Sequence, residues 1–242
     1  MFGELLAPQY LHLLLDGFKL SLLLSAVVCL TATALGFVVC LARVSSSRLW
    51  AGAAIAYLGL FRNTPLLVQL FFWYFGVSAL LPEDFVAWIN FPHEWNLLGW
   101  LLEWPSFEVI AGFWGLSLYT SAFIAEELRA GIASVRQQQR AAGLALGLTP
   151  GQVWRLVVLP QALRTALPPL LGQYMNALKN SSLAMAIGLA ELSYASRQVE
   201  TETFKTFQAF GIATLLYIGA IALIEVAGVL IQRSRAYRQK AA

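Results

Sequence analysis

The sequence contains little charge. Only 12% of its 242 residues are Asp, Glu, Lys or Arg, and 59% are hydrophobic, whereas about 25% of the residues of an ordinary soluble domain are charged. The apolar residues form runs long enough to cross a hydrocarbon core of roughly 30 Å. This composition argues against a soluble domain and predicts one all-α membrane domain over residues 1–242, surrounded by a lipid bilayer.

Cysteine and histidine are also scarce, with two of each. Cys29 and Cys40 fall in one apolar run without metal-ligand spacing, so we expect neither a disulfide nor a metal site. Paired carboxylates, an activated nucleophile and a glycine-rich phosphate loop are all missing at catalytic spacing. We therefore expect no enzyme active site and no cofactor. Nucleic-acid binding is not expected, because the basic residues flank apolar spans and form no soluble basic face.

Five apolar segments predict transmembrane helices. They run from about Phe18 to Leu41, Leu49 to Leu81, Phe107 to Ala125, Leu167 to Leu189 and Phe210 to Ile231. The second segment is too long for one straight span, and Arg62-Asn63-Thr64-Pro65 places polar, helix-disturbing residues at its centre. We therefore expect the helix to be disturbed at this point.

The distribution of lysine and arginine predicts the orientation, because short basic loops stay in the cytoplasm. Eleven of the 16 basic residues follow the first, third and fifth spans: Arg43, Arg48, Arg129, Arg136, Arg140, Arg155, Arg164, Arg233, Arg235, Arg238 and Lys240. The opposite loops hold the acidic residues Glu83, Asp84, Glu94, Glu103, Glu108, Glu191, Glu200 and Glu202. We expect an N-terminus outside and a cytoplasmic C-terminus.

Residues 134–165 form a long loop between the third and fourth spans, and loops of this size usually carry function. We expect two short helices in it. The first lies near Val135 to Leu146 and ends at Gly147. The second begins at a capping box formed by Thr149 and Gln152 and is stopped by Pro160.

The first loop helix is rich in small residues, namely Ala141, Ala142, Gly143 and Ala145. Small side chains let another surface approach the backbone closely. They also pack helices against each other throughout membrane proteins, so the pattern by itself leaves both interpretations open.

The spacing of Ala142-Gly143, Gly147 and Leu159-Pro160 resembles the EAA loop of ABC importer permeases. In that family the loop is the coupling helix that docks on a cytoplasmic ATPase. The resemblance implies an ATPase-coupling role for Ala141, Ala142, Gly143, Gly147, Leu159 and Pro160. Ala141 stands where the family has a glutamate, so we expect no ion pair through a carboxylate at this position.

Further motifs look like the polar amino acid branch of these permeases, most similar to the glutamate/aspartate permeases: Phe61–Gln69, Ala125–Glu127, Leu159–Ala162, Leu167–Leu170 and Leu178–Ser182. The resemblance implies a type I ABC importer permease fold in the bacterial inner membrane. It also implies a second permease subunit, identical or paralogous, a dimer of cytoplasmic ATP-binding subunits and a periplasmic amino acid binding protein. ATP hydrolysis then belongs to the partner, and this chain is not an enzyme.

Polar residues at bilayer depth predict a substrate path, because they are costly there unless they line a path or pair internally. Counted along their helices, Arg62 and Asn180 lie at a similar depth, about 16 Å from the same side of the membrane. The polar residues around each of them can therefore meet. Gln173, Asn176 and Asn180 share one helical face. Together with Thr64 and Ser181, these residues are the candidate contacts for an amino acid substrate.

The substrate is predicted from the chemistry of Arg62, whose two parallel donors suit a carboxylate. A path for a cationic amino acid would more naturally present carboxylates, so an acidic amino acid is favoured over a neutral or basic one. The amides can instead join helices by hydrogen bonds. An ion-coupled carrier is the alternative class, but the unequal spans show no doubled pattern, and Glu225 is the only clearly intramembrane acid.

Overall fold

The computed structural model describes residues 6–91, 94–97, 100–103 and 105–240. Within these residues the chain forms ten α-helices, two π-helical turns, one 3₁₀ turn and a two-stranded hairpin. The helices are α1 (Pro8–Arg43), α2 (Arg48–Asn63), α3 (Leu66–Phe71), α4 (Glu83–Asn90), α5 (Phe107–Ser134), α6 (Gln137–Ala145), α7 (Pro150–Val153), α8 (Leu159–Ser181), α9 (Leu192–Thr203) and α10 (Thr206–Lys240).

The long apolar helices confirm a multi-pass, almost entirely helical membrane protein. Among the described residues, α1, α5 and the first 27 residues of α10 are long and apolar enough to cross a membrane. Helices α2 and α3, with the π-helical turn Phe72–Gly76, add a fourth span if this bent pair is counted as one. The predicted disturbance at Arg62–Pro65 is confirmed, because α2 ends at Asn63 and α3 begins at Leu66.

The predicted fourth span, from Leu167 to Leu189, corresponds to the later part of α8 and the 3₁₀ turn Ser182–Ile187. It is not among the helices apolar enough to cross a membrane by composition. The physical reason is its polar content, since Gln173, Asn176, Lys179 and Asn180 all lie in this part of α8.

A short hairpin interrupts the helical pattern and was not predicted from the sequence. Strand β1 (Glu94–Leu97) pairs antiparallel with β2 (Trp100–Glu103), with Glu94 opposite Glu103. It follows α4, whose first turn holds the acids Glu83 and Asp84.

The residues cluster into two compact units, and the first comprises Met1–Cys29, Thr64–Ser117 and Ala177–Ile221. Its buried core joins α1, α9 and α10 through Leu14, Leu192 and Ala209. Close packing depends on a glycine, because a Cβ placed on Gly17 would lie 2.9 Å from the Ala195 Cβ. The two helices approach each other there without an intervening side chain.

Glu191 is fully buried within the first unit, although it was counted among the loop acids from sequence. Its Oε1 accepts from the backbone N–H of Tyr194 across 2.9 Å and caps α9, while Oε2 accepts from the hydroxyls of Tyr217 (2.8 Å) and Ser21 (3.2 Å). Burial raises the pKa of the Glu191 carboxyl, and these hydrogen bonds oppose the rise. Glu191 therefore ties α1, α9 and α10 together.

The second unit comprises Leu30–Asn63, Leu118–Asn176 and Ala222–Ala242. Its core packs α1, α2, α5 and α8 around Cys40, Leu58, Ile124 and Leu170. Gly36 permits close contact between α1 and α5, since a Cβ there would lie 2.8 Å from Ile124 Cγ2. This packing positions the polar side chains described below.

The long loop folds as predicted at its centre. Helix α6 is followed by Gly147 at φ +82°, in the left-handed region that favours glycine. Thr149 then caps α7 in the predicted capping box: its hydroxyl accepts from Gln152 N–H (3.3 Å), and Gln152 Oε1 accepts from Thr149 N–H (2.8 Å).

The prediction that Pro160 stops the second loop helix is wrong. Helix α7 passes through the π-helical turn Trp154–Val158 directly into α8, which contains Pro160. A proline lacks the N–H that the preceding turn needs, and a local π adjustment with side-chain donors can satisfy the freed carbonyls. Here Gln161 Nε2 donates to the carbonyl of Val157 across 2.9 Å.

Candidate functional site

The interruption after α2 is fixed by a side chain from the next helix. Gln69 Nε2 of α3 donates to Thr64 Oγ1 (2.6 Å) and to the Thr64 carbonyl (3.1 Å), and Gln69 is 8% exposed. Pro65 immediately precedes α3 in an extended conformation. Thr64, a candidate substrate contact, thus takes part in the hydrogen bonding of the interruption itself.

Arg62 lies in the last turn of α2, in the second unit. Its guanidinium sits 5.4 Å from the centre of the Phe123 ring, and its Nη1 lies 3.9 Å from Glu126 Oε2. The Arg62 side chain is 40% exposed. It combines a cation–π contact with a long ion pair and keeps much of its surface open.

Glu126 is held more closely by its own helix. Arg129 donates to it through Nε (3.1 and 3.2 Å to the two oxygens) and through Nη2 (3.0 Å to Oε2). The Glu126 side chain is 22% exposed. Short charge-assisted bonds with two donors are the strong kind of hydrogen bond, so Arg129 is the principal partner of Glu126.

Gln173 of α8 also reaches an acid of α5. Its Nε2 donates to Glu127 Oε1 across 3.3 Å, and Asn176, one turn further along α8, is exposed. Thus Arg62 and Gln173 each meet one of the adjacent carboxylates Glu126 and Glu127. These contacts all lie in the second unit.

The other candidate contacts, Thr64, Asn180 and Ser181, belong to the first unit. Asn180 is half-buried, whereas Ser181 is fully buried and its hydroxyl donates to the carbonyl of Leu178 across 2.8 Å. That all the candidate contacts line one substrate path therefore stays a prediction.

The carboxylates Glu126 and Glu127 were not predicted as partners of Arg62 and Gln173. The predicted third span ends at Ala125, with Arg129 in the following loop, but α5 continues to Ser134. The reason is that helix α5 keeps its packed face beyond Ala125, where Leu128 and Gly131 are buried. The available signal was the acidic pair directly after an apolar run, since acids at this depth need partners.

Two further observations concern ionisable side chains. Glu225 lies exposed on α10, and within the described part of the chain no ion pair joins it to a basic residue. Among the described residues, no group of three or more His, Cys, Asp or Glu side chains could hold a metal ion.

The coupling-loop residues divide into an exposed and a packed set. Ala141, Ala142 and Gly147 are exposed, as is Leu146, at 83%. Gly143 is buried, and a Cβ on it would lie 3.1 Å from Val153 Cγ2. Leu159 is half-buried and Pro160 exposed. The loop therefore presents small residues and an apolar side chain on its outer surface.

Comparison with known proteins identifies the family. Residues 32–237 match the family described as binding-protein-dependent transport system inner membrane component. The chain belongs to this family. This inner membrane component is 32% identical over 224 residues to the glutamate/aspartate import permease protein GltJ of Escherichia coli (strain K12), covering 93% of this chain and 87% of that protein. It is also 32% identical to the probable glutamine ABC transporter permease protein GlnM of Bacillus subtilis (strain 168), over 84% of each chain.

A solved structure gives the same result for the fold. The inner membrane component superposes on a chain from the crystal structure of an amino acid ABC transporter with histidines, with a TM-score of 0.78 and 27% identity. The match covers 93% of this chain and 95% of that one. The predicted importer permease fold and inner-membrane location are thereby confirmed.

Proposed function

We propose that this chain is a permease subunit of an ATP-driven importer that carries an acidic amino acid, glutamate or aspartate, across the inner membrane. Arg62 carries the proposal. Its guanidinium is 40% exposed, and its one ion pair in the described structure, with Glu126, is 3.9 Å long. The two-donor fork therefore remains accessible to a carboxylate. The likeness to a glutamate/aspartate permease supports the same substrate.

The remaining parts of the importer follow from this role. The chain acts as one transmembrane domain over residues 1–242, and residues 134–165 dock on a dimer of ATP-binding subunits that supplies ATP hydrolysis. The coupling residues are Ala141, Ala142, Gly143, Gly147, Leu159 and Pro160, of which Gly143 is buried beneath the surface and packs against Val153. A second permease subunit and a periplasmic amino acid binding protein complete the assembly. The exposed small residues of the loop support this docking.

The adjacent carboxylates support a second candidate, an importer of a neutral or basic amino acid. Glu126 lies beside Arg62, and Glu127 accepts from Gln173. Two carboxylates attract a cationic side chain and repel an anionic one. The likeness to a probable glutamine permease agrees with a neutral substrate.

Uptake into proteoliposomes that contain the full complex and its binding protein tests the role of Arg62. The Arg62→Lys variant keeps the charge but loses the two-donor fork, so uptake of glutamate should fall while assembly persists. Arg62→Ala should lower uptake further. Arg48→Lys, the same exchange at the start of α2, is the matched control. Parent-level uptake by Arg62→Ala would remove Arg62 from the path.

Asn180→Asp tests how the side chain is recognised. The new anion should disfavour glutamate and aspartate by like-charge repulsion and spare glutamine and arginine. The measurement compares uptake of all four amino acids at equal protein incorporation. A preference that does not move would leave the amides as contacts between helices, and specificity for arginine in the parent would favour the second candidate.

A further inference from the structure

Glu126 divides its carboxylate unequally between two arginines. Arg129, one turn along the same helix, makes hydrogen bonds of 3.0 to 3.2 Å to it. Arg62, from another helix, lies 3.9 Å away. That distance is too long for a hydrogen bond and leaves only charge attraction.

The longer pair can therefore be broken without breaking the shorter one. Arg62 is 40% exposed, and ion pairs between exposed side chains contribute little. If Arg62 is drawn to another anion, Glu126 keeps all its bonds to Arg129 and is not left as an uncompensated charge. Phe123, 5.4 Å from the Arg62 guanidinium, holds the cation in place during such an exchange.

We propose that Glu126 stands in for the substrate's carboxylate at Arg62, occupying the guanidinium when the path is empty and giving it up to the amino acid. This role rests on the proposed function of Arg62 and deepens it. Because Glu126 competes with the substrate for Arg62, it lowers the affinity of the permease for an acidic amino acid. A low affinity favours release of the amino acid on the far side of the membrane.

Equilibrium binding of radiolabelled L-glutamate to the full complex in nanodiscs, without the binding protein, tests this competition. Glu126→Gln removes the competing charge and should tighten binding roughly threefold to fivefold. Glu108→Gln is the matched control, since Glu108 is also on α5 but accepts from the Tyr74 hydroxyl, and it should leave binding unchanged. Combining Glu126→Gln with Arg62→Ala should abolish the gain.

The outcomes separate the two ideas. Unchanged binding in Arg62→Ala would overturn the proposed function of Arg62. Weaker binding in Arg62→Ala, without tightening in Glu126→Gln, would overturn the competition and leave that function standing. A gain that persists in the double variant would also overturn the competition. If Glu126→Gln fails to assemble, Glu126→Asp withdraws the carboxylate by one methylene and should give a smaller gain, whose absence counts against the proposal.

Discussion

Gly131 of α5 lies directly against the main-chain carbonyl of Ala162 in α8. A Cβ on Gly131 would stand 2.5 Å from that oxygen and 3.0 Å from the Ala166 Cβ. Helices α5 and α8, which carry Glu127 and Gln173, therefore pack backbone against backbone at Gly131, with no side chain between them. The hydrogen bond between those two side chains depends on this approach.

Replacing Gly131 by alanine should separate α5 and α8, because a backbone carbonyl cannot move aside as a flexible side chain does. We expect a loss of about 1–3 kcal/mol, typical of overpacking. The measurement is the thermal unfolding of the purified protein in detergent. Gly172→Ala on α8 is the control, since a Cβ there meets nothing within 4 Å. Equal melting temperatures for the two variants would contradict the close contact.

Gly147 should resist substitution for a conformational reason. Its φ of +82° costs a residue with a side chain about 1–2 kcal/mol, although nothing lies within 4 Å of a Cβ there. Gly147→Ala should reduce the recovery of the ATP-binding subunit with tagged permease, and uptake should fall in parallel. Gly147→Asn should be milder because asparagine tolerates this conformation.

Gly151→Ala provides the comparison for Gly147, since Gly151 is helical and a Cβ on it also meets nothing within 4 Å. Full recovery of the ATP-binding subunit and full uptake in Gly147→Ala would exclude the loop conformation from coupling.

Removing the Glu191 carboxylate should destabilise the first unit. Glu191→Ala leaves the Tyr217 hydroxyl and the Tyr194 N–H without this acceptor and takes one of two acceptors from the buried Ser21 hydroxyl, at a cost of about 3 kcal/mol. Glu191→Gln should cost less, because burial already favours the neutral carboxyl and the amide oxygen can still accept. Thermal unfolding measures both, with Glu202→Ala at an exposed position as the control. Equal melting temperatures for Glu191→Ala and Glu202→Ala would contradict the prediction.

The orientation of the chain can be tested with a reporter that is active only in the periplasm. The arginine distribution predicts activity for fusions near Glu94 or Glu200 and none for fusions near Gln138 or after Arg235. Activity of the fusion near Gln138 would contradict the predicted orientation and show that every span runs in the opposite direction.

Local features were predictable from sequence because their causes lie within a few residues. The capping box at Thr149 needs only Gln152 three positions later, and it forms as expected. The glycine end of α6 and the interruption near Pro65 are equally local. The continuation of the helix through Pro160 was not predictable in this way, because the π-helical turn that accommodates the proline depends on the whole preceding turn.

Contacts between distant residues were not predictable, because they depend on how helices pack. Arg62 was recognised as a candidate for a carboxylate, yet nothing in one sequence indicates that Glu126 on another helix lies beside it. Glu191 appeared as one more acid in an acidic loop. Its burial follows from the close approach of α1 and α9 at Gly17, which has no local signature.

The absence of a helix end at Pro160 has a mechanical consequence. From Pro150 to Gln173 the backbone is helical throughout, a rod roughly 35 Å long. Thr149 is therefore connected to Gln173 by continuous helix, and no loop between them can absorb a displacement. The π-helical turn and the pair Pro168–Pro169 are where such a rod can flex. A displacement of the Thr149 end is therefore transmitted to Gln173 as a tilt or a twist of this one continuous helix.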